Sequence, residues 1–124
     1  MCGIAGAVGS LGPDLDKAVR AMNDAQEHRG PDDTGFWGSS ATAEGRGCVL
    51  GHRRLSIVDL SPLGHQPMID EETGVAISYN GEIYNFLSLR EELEAAGHRF
   101  VSQCDSEVLI KAWLEWGQAC LSRF

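Results

Sequence analysis

The chain has 124 residues, 43% of them hydrophobic and 23% charged, with a formal net charge of −8. That length suits one domain with a real core. The acidic balance argues against nucleic-acid or anionic-membrane partners, which need clustered Lys and Arg. No apolar run approaches the roughly 20 residues of a membrane span. No basic, apolar leader opens the chain, so the expected location is cytoplasmic. The four cysteines (Cys2, Cys48, Cys104, Cys120) are widely spaced with no C-x-x-C pair. Reduced thiols are expected rather than disulfides.

In chain order, CGIAGAV is small and apolar and reads as a buried strand. Residues 12–30 read as a helix. Pro13 and Asp14 stand at its start, Leu15, Val19 and Met22 form its apolar stripe, and Gly30–Pro31 ends it. GPDDTG is a loop. TGFWG and RGCVLGHRRLSIV read as strands joined by a Ser/Gly-rich turn. DLSPLGHQPMIDEETG is a long polar segment of the kind that is often functional, and Asp70, Glu71 and Glu72 read as a solvated cluster within it. VAISY reads as a strand that breaks at Asn80–Gly81, a strong turn dipeptide. FLSLREELEAAG reads as a helix with Asn85 as N-cap and Gly97 as its stop. HRFVSQ reads as a short strand, and DSEVLIKAWLEWG as a helix capped by Asp105. Strands and helices mix without strict alternation, which predicts a layered α+β fold. The closing CLSRF carries no stop signal, so the domain is expected to be incomplete at its C-terminus.

Four features carry chemistry. Cys2 follows Met1 directly, and removal of Met1 would place a thiol and a free α-amine on one residue. An N-terminal amine can act as the base for its own side chain. The competing reading is a buried strand cysteine. Asn80 and Gly81 offer a side-chain amide and an unhindered backbone N–H to a developing oxyanion, or simply a hairpin turn. Arg53 and Arg54 point to opposite faces of a strand, so at most one faces a shared pocket and clamps a carboxylate there. Asp105 and Glu82 suit a ligand ammonium group, although for each alone helix capping or surface exposure is the favoured explanation. Cys48, His52 and His65 match no zinc spacing, and no metal site is expected.

Together these motifs resemble the glutaminase domain of glutamine-hydrolysing asparagine synthetases, class II glutamine amidotransferases. MCGIAG resembles the family's nucleophile motif. HRGPDDTG, HRRLSIVDLSPLGHQPM, NGEIYN and QCDSEVLI resemble its later signatures, in the same order. Cys104 stands where the family usually has serine. The resemblance implies an N-terminal nucleophile hydrolase fold, an αββα sandwich of antiparallel sheets, with residues 1–124 as the N-terminal portion of the glutaminase domain. It implies hydrolysis of glutamine to glutamate and ammonia through a Cys2 thioester, with Asn80 and Gly81 as the oxyanion hole. It assigns Arg54, Leu55, Ser56, Ile57 and Val58 to the glutamine site, and Glu82 and Asp105 to the substrate ammonium. The implied partners are glutamine and a synthetase domain or subunit, and a homodimer is left open. The chain has no P-loop and no pyrophosphate loop, so ATP and magnesium would belong to the synthetase domain. The alternatives are a catalytically incompetent interaction module and the glutaminase part of another biosynthetic amidotransferase.

Overall fold

The computed structural model describes residues 1–56 and 62–124. Its centre is a three-stranded antiparallel sheet in the order β1-β3-β2, with β1 Gly3–Ser10, β2 Asp33–Gly38 and β3 Arg46–Arg54. Gly3 pairs with Arg53 and Ser10 with Arg46 along β1 and β3, and Asp33 pairs with Arg54 across to β2. Helix α1, Pro13–Asp24, covers one face of this sheet. Its fully buried Val19 meets Ala5 and Val49, flanked by Ala7, Leu15 and Phe36. The small residues of β1 and β3 admit the helix closely. A Cβ on Gly51 would stand 3.2 Å from the side chain of Asn23.

Two further strands, β4 Met68–Ile69 and β5 Ala76–Ile77, form a separate antiparallel ribbon. Helices α2, Phe86–Ala95, and α3, Asp105–Trp116, close a second core with Ile83, Leu89, Leu93, Val108, Ala112 and Cys120. The last turn folds back on α2. Arg123 makes two bonds to the Glu92 carboxylate at 2.7 and 2.9 Å and stacks over Trp116, and its carbonyl accepts from Asn85 Nδ2. The arrangement is α+β, as the sequence pattern predicts, and its sheets are antiparallel, as the resemblance implies. All four cysteines are free thiols. Among the described residues no helix is long and apolar enough to cross a membrane.

Several elements depart from the sequence reading, each for a local reason. Helix α1 stops at Asp24, and Glu27–Arg29 forms a separate 3-10 turn. Asn23, not Met22, is its second buried residue, because the Asn23 amide donates to Thr34 Oγ1 on β2. VAISY is a strand only at Ala76–Ile77. Ser78 bonds instead to His52 and the Gly51 carbonyl, and Tyr79 N–H to Gln66. Residues 98–103 form no strand. The Val101 and Ser102 N–H groups, which a strand partner would have taken, donate to the buried Glu107 carboxylate. Asn85 holds the N-cap position of α2 without capping it, and Asp105 is the first residue of α3 rather than its cap.

Asp70 is also not a solvated charge. It is 7% exposed, pairs with Lys111 of α3 and accepts from the backbone and hydroxyl of Thr73. Burial pushes its carboxyl up, but the Lys111 ammonium and the Thr73 donors outweigh that and hold it below the ordinary range. The pair therefore stabilises the fold above the usual carboxylate pKa, and that contribution fades as pH falls through the lowered value. Replacing Lys111 with Met leaves a buried, unpaired charge and should cost about 3–5 kcal/mol at pH 7. Urea titrations should show the loss shrinking toward acid, where Asp70 protonates. An equal loss at both pH values would contradict the pairing.

Candidate active site

The β1–β3 register sets the site. With Gly3 opposite Arg53, Cys2 lies beside the residues that leave the end of β3. The Leu55 N–H donates to Cys2 Sγ at 3.3 Å, and the Leu55 carbonyl lies 3.8 Å from the same sulfur. Arg29 Nε donates to the Cys2 carbonyl at 3.2 Å. The backbone nitrogen of Cys2 donates to Asn80 Oδ1 at 3.0 Å. With Oδ1 engaged, the Nδ2 amino group is the donor Asn80 has to offer.

These groups open onto a cavity of about 380 Å³, a size suited to a small ligand. Cys2, Arg54, Asn80, Gly81, Glu82 and Asp105 all line it, and Leu55 joins them. Met1 lines it as well, directly before the thiol. Ser56 is turned to the GPDD loop, where its N–H donates to Asp32 Oδ2 at 2.8 Å. Ile57 and Val58 lie outside the described residues. The structure thus brings together seven of the ten residues singled out in the sequence.

Arg53 and Arg54 divide between the two faces of β3. Arg53 bonds the Asn23 carbonyl and Asp24 on the α1 side. Arg54 reaches the cavity, and its guanidinium lies against Gly64, where a Cβ would come within 2.8 Å of Cζ. Gly81 is similarly constrained. A Cβ there would stand 2.6 Å from Tyr79 Cζ. Asp105 Oδ2 accepts the Ile83 N–H at 2.9 Å. Burial, together with the Asp105 and Glu82 carboxylates, raises the Tyr79 phenol above its ordinary value. The cavity therefore holds a guanidinium and a pair of carboxylates, a layout complementary to a zwitterionic amino acid.

Supporting residues missed in the sequence surround this set. Glu107 accepts from Val101 N–H, Ser102 N–H and the Ser102 hydroxyl at 2.6–2.9 Å, fixing the turn before Asp105. Its signal was Glu three residues after the N-cap Cys104, a capping-box spacing with cysteine in place of serine. Cys104 is buried, with Sγ 2.8 Å from the Ser102 hydroxyl. Arg29, Asp32 and Gln66 stood inside quoted motifs, but nothing in their residue types separated them from surface polar groups.

The whole chain, residues 1–124, matches the model of the glutamine amidotransferase domain family, and the chain belongs to that family. It is 38% identical over 125 residues to glutamine-hydrolyzing asparagine synthetase 3 of Bacillus subtilis, covering 98% of this chain and 19% of that protein. It is 36% identical over 138 residues to a putative glutamine-hydrolyzing asparagine synthetase 2 of Methanocaldococcus jannaschii, covering 100% of this chain and 26% of that protein. It is 41% identical over 95 residues to amidase chry2 of Gibberella zeae, covering 77% of this chain and 13% of that protein. The chain thus spans only a small fraction of the length of these relatives.

His52 stands behind Arg54 on the same strand face, 1% exposed, with Nδ1 2.9 Å from the Ser78 hydroxyl. Burial lowers its pKa from 6.5 to about 4. Asp33 opposes this shift, and Arg54 and His65 reinforce it. The unfolded chain therefore takes up a proton at His52 before the folded one does. Stability should be fully present above about pH 6.5 and fall by on the order of 3 kcal/mol toward pH 4. The His52→Gln variant should show a flatter urea-midpoint profile across that window. An unchanged slope would place the acid sensitivity elsewhere.

Proposed function

We propose that this cavity hydrolyses the side-chain amide of glutamine to glutamate and ammonia through a thioester on Cys2, after removal of Met1. The observation that carries the reading is the Cys2 nitrogen on Asn80 Oδ1, which sets the residue that would supply both base and nucleophile beside the side chain that would supply the oxyanion donor. The free α-amine of Cys2 accepts the thiol proton. The thiolate sulfur attacks the amide carbon. Asn80 Nδ2 and the Gly81 N–H receive the oxyanion. The carbon–nitrogen bond breaks as the ammonium proton passes to the leaving nitrogen, and ammonia departs. Water, deprotonated by the same amine, then opens the thioester and restores the thiol.

Arg54 clamps the substrate carboxylate, and Glu82 with the free oxygen of Asp105 holds its ammonium. Leu55 lies along the nucleophile through its N–H. Ser56, Ile57 and Val58 remain assigned to the glutamine site through the family resemblance. A site reading both ends of an amino acid rejects analogues that lack either. The ammonia passes to a synthetase unit, to which ATP and magnesium would belong. The asparagine synthetase names of the relatives favour aspartate as that acceptor. The similarity to a protein named amidase chry2 keeps a reaction other than asparagine synthesis as a second reading.

The decisive experiment is intact mass before and after a diazoketone analogue of glutamine. One adduct on a Met1-free Cys2, blocked by excess glutamine, supports the reading, and no adduct on the mature chain opposes it. Asn80→Ala should lower glutamate release by about 100- to 1,000-fold, since it removes one oxyanion donor. An enzyme-coupled glutamate assay checks this, and an unchanged rate removes Asn80 from the oxyanion hole. A chain carrying an uncleaved residue before Cys2 should be folded by circular dichroism yet inactive in the same assay. Turnover there would refute the role of the amine.

A further inference from the structure

Gln66 is a buried amide that the mechanism above does not use. It is 8% exposed, and both ends of its side chain are occupied. Oε1 accepts the Tyr79 N–H at 2.6 Å, and Nε2 donates to Ser106 Oγ at 3.2 Å. Tyr79 immediately precedes Asn80. Ser106 follows Asp105, whose carboxylate takes the Ile83 N–H. The three residues Asn80, Gly81 and Glu82 are thus held at their entry by Gln66 and at their exit by Asp105. The Gln66–Ser106 bond joins the two holds. The result is a closed circuit, from Gln66 through Tyr79, the loop, Ile83, Asp105 and Ser106 back to Gln66.

The main chain of Gln66 packs against a different element. Its carbonyl oxygen lies against Gly35 of β2, where any Cβ would overlap it. One residue therefore spans from the sheet that carries Cys2 to the loop that carries Asn80.

We propose that Gln66 is the positioning residue that sets the distance between the nucleophile and the oxyanion loop. Its kinetic consequence rests on the glutaminase reading, whereas the hydrogen-bonded circuit stands without it. Misplacing an oxyanion donor by about 1 Å can cost on the order of 100-fold in rate. Substrate affinity is retained largely through Arg54 and Asp105, which lie outside this loop, so the loss should fall mainly on kcat.

Gln66→Met keeps the shape and removes both bonds, and Ser106→Ala removes one. Met1-free Gln66→Met should lose about 10- to 100-fold in kcat with KM for glutamine within about threefold. The double variant should be no slower than Gln66→Met alone, because the two residues form one device. In parallel, hydrogen exchange at the Tyr79 amide should be about fivefold to tenfold faster in Ser106→Ala, with α1 amides unchanged. An unchanged kcat, a loss carried by KM, or additive effects would overturn the proposal. If Gln66→Met does not fold, Ser106→Ala decides by its kcat and by Tyr79 exchange. If the parent chain hydrolyses no glutamine, the glutaminase reading falls. The circuit is then judged on exchange alone: protection lost in Ser106→Ala supports it, and an unprotected Tyr79 in the parent overturns it.

Discussion

The register of β1 on β3 is the constraint on which the site depends. Gly3 opposite Arg53 brings Cys2 to the end of β3, where the Leu55 N–H meets its sulfur. The pleat of β3 then decides which arginine serves the cavity. A slip of one residue would exchange the two faces of β1, sending Ala5 away from α1 and Ile4 onto it. Packing forbids that slip. The α1 face admits only small or slender side chains on β1, because Val19 and Asn23 press close to the sheet. Hydrophobic patterning on one face thus fixes polar geometry at one end of the strand.

The second part of the site comes from chain held by side chains rather than by a sheet. The stretch from Ser78 to Ile83 makes no ladder bonds beyond Ile77. The Tyr79 and Ile83 N–H groups are taken instead by Gln66 and Asp105, and the Ser78 hydroxyl by His52 and Gly51. The turn before α3 is held in the same way by Glu107. Buried polar groups that are satisfied like this specify one arrangement, since each alternative strands a donor. Catalytic loops need that specificity without the bulk of a strand partner, which would fill the cavity.

Regular elements were legible because their signals are local. β1 shows as a small apolar run, and α3 as a periodic helix stopped by Gly117 at φ 55°. The misread segments are those where a distant side chain took over a backbone group. Nothing within residues 98–103 announces that Glu107 will accept their N–H groups. Asn80–Gly81 reads as a hairpin turn until Tyr79 is seen to bond Gln66, 13 residues away. Asp70 reads as solvated until Lys111, 41 residues on, is found beside it. The candidate site was legible through the joint order of its motifs. The contacts that hold it in place were not, because residues such as Gln66 and Arg29 carry no chemistry that marks them.

The bond between Asn85 and the carbonyl of Arg123 gives the molecule a mechanical path. Arg123 is locked to α2 through Glu92 and lies flat on Trp116, so its carbonyl is a stiff attachment point. Asn85 stands two residues beyond Ile83, where the clamped loop ends. The last turn of the chain is therefore tied both to α2 and to the segment that follows the loop, the latter by a hydrogen bond that bypasses the helices. The C-terminal turn and the loop of the candidate site are thus braced against each other, so that a partner gripping the one would be felt at the other.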